Sequence, residues 1–395
     1  MLLRGDCLEL LKTLPDESVD SVVTDPPYEI AFMGRGWDNS GIAFNPAVWA
    51  ECLRVLKPGG HLLAFGASRT YHRIAVAIED AGFEIRDSIH WVYGSGFPKS
   101  MDISKAIDKQ AGELSHEGKS MIDKSTGIMT LVPSITPSAY VRPEPVTEGA
   151  KQWLGWGTAL KPAHEPVVVA RKPVSEKTVA QNVLKHGTGA INIDGSLVGE
   201  GDNDGRWPAN VIHDGSDEVI AEFPDTKGKV GAKQLTSFRF QPGEEWDEKQ
   251  QMTAGTPDHG SAARFFQSCP IDDDDAKSFI YCSKASKTER NAGLGHLPEV
   301  EKQGVYRFQV DGSLNKKITA PKANIHPTVK PIALMRYLVK LVTPPGGTVL
   351  DPFCGSGTTA VSAVLEGFNW IGCELTPDYW PIIEGRVKWA EEQVK

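Results

Sequence analysis

No stretch of this 395-residue chain approaches the roughly 20 consecutive apolar residues that a membrane-spanning helix requires, so no such span is expected. The start, Met1-Leu-Leu-Arg-Gly-Asp6, lacks the charged segment, apolar run and cleavage site of a secretory leader; a cytoplasmic protein is the expectation. Cysteine is scarce. The six that exist, at 7, 52, 269, 282, 354 and 373, include no Cys-x-x-Cys pair and none near a His at zinc-ligand spacing. Neither a disulfide framework nor a bound metal is therefore expected. Positive charge is not in excess either: 42 Lys and Arg stand against 51 Asp and Glu, a net charge of -9. A nucleic-acid partner would have to be met by local basic clusters. Hydrophobic residues at 40% and charged residues at 24% exclude collagenous, coiled-coil and wholly disordered chains. The length fits two domains, or one core carrying a large insertion.

Within these bounds, the first hundred residues alternate strand and helix. Ser18 to Thr24 is a β-branched run that must leave the sheet at Asp25-Pro26-Pro27-Tyr28, because two successive prolines cannot continue a central strand. Apolar spacing predicts helices over Pro46–Leu56 and Arg69–Ala81, with Lys57-Pro-Gly-Gly60 and Gly82 as stops. Strands are predicted over His61–Phe65 and Glu84–Tyr93. The last seventy residues repeat the style. They read as a helix over Pro331–Val342, a strand over Thr348–Asp351, a Gly-rich loop to Gly357, a helix over Thr358–Gly367, a strand over Asn369–Leu375 and a closing helix over Asp378–Val394. Short links between alternating elements predict an α/β fold with a parallel or mostly parallel sheet. Lys161–Ala170 reads as one more core strand. From about 174 to 321 the chain is rich in turn signals without a helix–strand rhythm, and is expected to be an inserted module. The acidic run Asp272–Asp275 is expected to be a solvated loop.

Two local patterns carry chemistry. Asp351-Pro-Phe353-Cys-Gly355-Ser356-Gly357-Thr358 lies between strand and helix, where glycines let backbone approach a ligand and the helix start offers free N–H groups. Glu374 follows at the end of the next strand, placed to accept from both hydroxyls of a ribose. This pattern alone leaves a dinucleotide and S-adenosylmethionine open. The second pattern, Asp25-Pro26-Pro27-Tyr28, decides between them. A nucleobase amine is a poor nucleophile because its lone pair is delocalised into the ring. A carboxylate and a proline-flanked carbonyl that accept its two N–H groups can draw the nitrogen toward tetrahedral geometry, freeing the lone pair to attack a methyl sulfonium. Tyr28 offers an aromatic face for a base taken out of a duplex.

Taken together, Thr24–Tyr28, Asp351–Thr359, Gly372-Cys-Glu374 and His326-Pro-Thr-Val-Lys-Pro331 resemble the amino-group DNA methyltransferases, which modify adenine N6 or cytosine N4. The catalytic tetrad precedes the Gly loop, an order similar to the beta class, whose target-recognition domain lies between the halves. The resemblance implies a Rossmann-like methyltransferase core with a mixed, mostly parallel sheet. It implies a first catalytic part at 1–174, a target-recognition insertion at 175–321 and a cofactor-binding part at 322–395. It further implies S-adenosylmethionine as cofactor and a flipped base in double-stranded DNA as substrate. Residue by residue, it assigns catalysis to Asp25, Pro26, Pro27 and Tyr28. Cofactor contacts fall to Asp6, Asp351, Phe353, Gly355, Ser356, Gly357, Thr358 and Glu374, with His326, Thr328 and Lys330 closing over the methionine end. Lys330 is the expected partner of the cofactor's carboxylate, and Asp6 is equally suited to cap a helix over Cys7–Leu11. His164-Glu165 resembles the start of the family's seventh strand. A homodimer is expected through the resemblance alone.

Arg35, in the loop Glu29–Asp38, and Lys316, Lys317 and Lys322, in an acid-free basic stretch, are the expected DNA contacts. The loop 29–38 is also a candidate lid over the target base. By the same resemblance, an Asp rather than a Ser opening the tetrad implies adenine N6, with cytosine N4 as the alternative. A nicotinamide-dependent oxidoreductase fits Gly355-x-Gly357-x-x-Ala360 loosely but leaves Asp25–Tyr28 without a role. The absence of a Pro-Cys dipeptide argues against cytosine C5 chemistry, which needs a thiolate.

Overall fold

The computed structural model describes residues 1–30, 36–94, 96, 100–113, 144–199, 205–227, 259–269, 285, 287–297, 306–308, 314–316 and 323–395. Nine strands among these form one sheet: β1 Leu2–Arg4, β2 Val19–Thr24, β3 Leu56–Phe65, β4 Glu84–Val92, β5 His164–Arg171, β6 Val211–His213, β7 Gln267–Ser268, β8 Thr348–Asp351 and β9 Asn369–Glu374. Their spatial order is β1-β9-β8-β2-β3-β5-β4-β6-β7. Only β5 runs antiparallel to its neighbours; every other described pair in this sheet is parallel. The mixed, mostly parallel α/β architecture expected from the sequence is thus the observed one.

Helices cover both faces, which is why central strands are buried along nearly their whole length rather than on alternate residues. All six residues of β2 are buried. In β3, Leu62 and Ala64 point to one face and Leu63 and Phe65 to the other, as a period of two requires. On the first face pack α1 Cys7–Leu11, α2 Pro46–Val55 and α3 Tyr71–Asp80, through Leu11, Trp49, Val55, Ile74 and Ile78. On the second, α5 Ile332–Val342 contributes Leu334, Met335, Leu338 and Val339. (The helix Val179–His186, between them in sequence, is α4.) The closing pair, α6 Thr358–Leu365 and α7 Trp380–Gln393, meets through Val361, Ile383 and Val387. Polar atoms inside β2 are matched. Asp20 accepts from Lys57 Nζ at 2.6 Å and Thr348 N at 2.7 Å, Ser21 Oγ meets Thr343 Oγ1 at 2.8 Å, and Thr24 Oγ1 donates to Asp351 at 2.7 Å.

Two segments differ from expectation. Lys57-Pro-Gly-Gly60 ends α2 but lies within β3, which starts at Leu56. Pairing with β2 jumps from Val19↔Leu56 to Ser21↔His61, so the segment is a bulge rather than a break. The Pro58 carbonyl turns out of the ladder and is met by Asn182 Nδ2 at 2.8 Å and Thr188 Oγ1 at 2.6 Å. A Cβ on Gly59, at φ 80°, would sit 2.5 Å from that amide nitrogen. Second, the region after 174 does contain regular elements: α4, β6 and β7, the two strands extending the main sheet. The two strands, of three and two residues, are too short to show a period in sequence. Asp272–Asp275 lies outside the described residues.

Candidate active site

β2 and β8 are adjacent and parallel, with Ser21 beside Val349 and Val22 beside Leu350. From β8 the chain goes to β9 on one side; from β2 it goes to β3 on the other. A crevice therefore opens at their carboxyl ends, the usual ligand position in open α/β sheets. It is a cavity of about 1050 Å³, and both sequence patterns line it.

The tetrad follows β2 directly. Asp25, Pro26, Pro27 and Tyr28 all face the cavity. The backbone beyond them is gathered by Asp38, whose buried carboxylate accepts from the N–H groups of Tyr28 at 2.7 Å, Glu29 at 3.0 Å and Ile30 at 3.3 Å. Thr70 Oγ1 donates to the Tyr28 carbonyl at 2.7 Å. Glu29, at φ 55°, accepts from Gly41 N at 2.7 Å. Thus the loop expected as a lid is fastened at both ends; residues 31–35, including Arg35, lie outside the described residues.

The Gly loop follows β8. Gly355 has φ 54°, and a Cβ there would come within 2.9 Å of His326 Nε2. Gly357, at φ 79°, is the N-cap of α6 and has no room beside Ile383; it shapes the turn without lining the cavity. Glu374 ends β9 and accepts from Gly355 N and Thr376 N, each at 2.7 Å and each on a different oxygen. A carboxylate oxygen accepts more than one hydrogen bond, so capacity remains for two ligand hydroxyls. Asp6 lines the cavity while one of its oxygens caps α1 through Leu8 N and Glu9 N, so the two expected roles are compatible. Asp351, Phe353, Ser356, Thr358, His326 and Thr328 also line it. Behind the loop, the fully buried Arg386 donates to the Ser356 carbonyl at 2.8 Å, to Ser356 Oγ at 3.1 Å and to Thr358 Oγ1 at 3.0 Å.

Lys330, expected at the cofactor's carboxylate, stands at the tetrad. Its ammonium hydrogen-bonds Asp25 Oδ2, lies 3.1 Å from Tyr28 OH and pairs with Glu165 at 3.6 Å. Tyr28 OH donates to Glu165 Oε2 at 2.9 Å. Burial acts to lower the pKa of Lys330, but the Asp25 and Glu165 carboxylates outweigh it and hold the group above its ordinary value. Burial pushes the Asp25 carboxyl up against the opposing pull of Lys330, and Glu165 adds to the rise. Burial and the cations Arg290, Lys330 and Arg386 bring His326 down to about 3, leaving its ring neutral. Burial raises Asp351 to about 6 despite hydrogen bonds from Thr24, Thr359 and Phe353.

Sequence inspection did not single out Asp38 or Arg386, and took Glu165 only as the start of a strand. Asp38 accepts from N–H groups eight to ten residues before it, a reach that no local spacing signals, and Arg386 carries no signal either. Lys316 ends a two-stranded ribbon, Tyr306–Phe308 with Leu314–Lys316, that is not paired with the main sheet. Lys317 and Lys322 lie outside the described residues.

The N6/N4 methyltransferase family model, described as DNA methylase, matches residues 19–385. The type II methyltransferase M.HinfI of Haemophilus influenzae is 32% identical over 109 residues, 23% of this chain and 30% of that protein. The type II methyltransferase M.HindIII of Haemophilus influenzae Rd is 22% identical over 339 residues, 85% of this chain and 66% of that protein. The chain therefore spans less than two thirds of either relative's length. Among solved structures, the cytosine-N4-specific PvuII DNA methyltransferase aligns with 98% of this chain and 85% of its own at 15% identity and a TM-score of 0.45. The complex of M1.HpyAVI with SAM aligns with 98% and 99% at 15% identity and a TM-score of 0.40.

Proposed function

Because this chain belongs to the N6/N4 DNA methylase family, whose model it matches from residue 19 to residue 385, we propose that it transfers a methyl group from S-adenosylmethionine to the exocyclic N6 amine of an adenine in double-stranded DNA. The observation that carries this reading is the single cavity onto which the Asp25–Tyr28 tetrad and the Phe353–Thr358 loop both open.

The residues present fit the cofactor. Glu374 has hydrogen-bonding capacity for a ribose, Phe353 gives an aromatic wall for an adenine, and Gly355 leaves a gap beneath His326 that any side chain would fill. His326 and Thr328 would close the methionine end, with Asp6 at the adenine. When bound, S-adenosylmethionine supplies an activated methyl group, and transfer leaves a neutral thioether and a proton to be removed from nitrogen. The protein's part is positioning and proton acceptance. Asp25 Oδ1 is buried and has no hydrogen-bond partner among the described residues, which suits it to accept one amine N–H. The Pro26 carbonyl takes the second, and the Tyr28 ring stacks on a base flipped from the duplex. The insertion at 175–321, with Arg35, Lys316, Lys317 and Lys322, would supply target recognition and phosphate contacts. By analogy with the family, the Asp at position 25 favours adenine over cytosine.

The test is incubation of the full chain with DNA and methyl-labelled cofactor, followed by nucleoside chromatography. Label in N6-methyladenine is expected. Label in N4-methylcytosine would replace the base assignment, and no label in DNA would overturn the proposal. Asp25→Ala should lower turnover by about 10²–10⁴-fold while cofactor affinity stays at the wild-type value; near-normal turnover would remove Asp25 from its role.

A further inference from the structure

Three segments far apart in sequence converge beside the target amine's position. The tetrad hangs from the end of β2. Lys330 comes from the stretch before α5. Glu165 is the second residue of β5, and β5 alone is antiparallel, so its beginning lies at the edge where the parallel strands end. The four side chains form a connected network: Lys330 to Asp25 Oδ2, Lys330 to Tyr28 OH, Tyr28 OH to Glu165, and Lys330 to Glu165. The Lys330 ammonium also lies 4.8 Å from the Phe65 ring centroid and 5.2 Å from that of Tyr28. An ammonium has three N–H donors. Asp25 and the Tyr28 hydroxyl take two of them, and Glu165 stands 3.6 Å away as an ion-pair partner.

We propose that Lys330 and Glu165 are positioning residues for methyl transfer: Lys330 pins one oxygen of Asp25, Glu165 fixes Lys330 and the Tyr28 ring, and Oδ1 of Asp25 is left as the acceptor for the target amine. This rests on the function proposed above and deepens it. A carboxylate held at one oxygen cannot rotate away, so the amine meets an acceptor of fixed direction. The network carries two carboxylates against one ammonium. Its surplus negative charge, held away from water, favours the positive charge that develops on the amine nitrogen. The neighbouring ionisable groups are Asp351, joined to the end of β2 through Thr24, and His326, whose neutral ring adds no charge.

The experiment compares wild type, Glu165→Gln, Lys330→Met and Lys330→Arg by kcat against pH, KM for DNA and cofactor Kd by calorimetry. Glu165→Gln and Lys330→Met should each lower kcat by about tenfold or more, with the cofactor Kd unchanged. The acidic limb of the kcat profile should move to lower pH in Glu165→Gln, which loses a negative neighbour of Asp25. It should move to higher pH in Lys330→Met, which loses a positive one. Lys330→Arg should keep the limb in place even though kcat falls. A merely structural role would move both limbs alike or neither, and that result would overturn the proposal. So would a cofactor Kd weakened in Lys330→Met by the factor lost in kcat. The Kd comparison needs no turnover: an inactive wild type would defeat the function proposed above, while the Kd of Lys330→Met would still decide whether Lys330 serves cofactor or tetrad.

Discussion

Asp351 offers a sharp test of the electrostatics under the Gly loop. Its side chain is 4% exposed and its pKa stands at about 6 rather than the ordinary 3.8. A carboxyl whose folded pKa is raised stabilises the fold fully below its unfolded value and loses that contribution as pH rises through the folded value. The full contribution is about 3 kcal/mol, from roughly two units at 1.36 kcal/mol each. Between about pH 5 and pH 8 the loss should be about 1.4 kcal/mol, because below about pH 5 the unfolded chain begins to bind the same proton. Asp351→Asn removes the titration but keeps an oxygen that accepts from Thr24 Oγ1 and Phe353 N, as Asp351 Oδ1 does. Urea unfolding of both proteins across this range isolates the group, since titrations that do not feel the Asp351 charge cancel in the difference. The variant should gain about 1.4 kcal/mol on the wild type as pH rises. A flat difference, or one of opposite slope, would refute the burial-driven shift.

Gly355→Ala should cost about 1–2 kcal/mol of stability, since a Cβ at φ 54° is strained and meets His326 Nε2. It should also abolish the rise in Tm that S-adenosylmethionine gives the wild type; an undiminished rise would show that the loop is not the cofactor's seat. Arg386→Met removes the donors behind Ser356 and Thr358 and should weaken cofactor binding about tenfold, or about 1.4 kcal/mol, with DNA affinity unchanged. Equal Kd values by calorimetry would exclude that support. Charge reversal at Lys316 and Lys317 should weaken DNA binding and reduce the slope of log K against log salt by about 0.9 for each phosphate no longer neutralised. An unchanged slope would remove both lysines from the interface.

The parts of the site legible in the sequence are those whose chemistry is local. Asp25–Tyr28 and Asp351–Thr358 each bring their groups together within a few residues of one turn, so spacing alone carries the signal. The parallel sheet was legible for a similar reason, because β2, α2, β8 and α6 are long or patterned enough to show their period. What spacing hid was partnership. Lys330 lies 305 positions from Asp25, and Tyr28 lies 137 from Glu165. Lys57–Gly60 read as a stop because the partners that turn it into a bulge, Asn182 and Thr188, stand 124 and 130 positions beyond Pro58.

Sequence by itself determined which groups gather at the strand ends and which elements deliver them, since strand ends, prolines and glycines act through the backbone of their own neighbours. Tertiary structure alone decided where each charge ends: that the lysine of the His326–Pro331 segment faces the tetrad, and that a glutamate from the one antiparallel strand completes the cluster. The reason is physical. Buried charges must be paired, and the partner is chosen by which strand lies next to which.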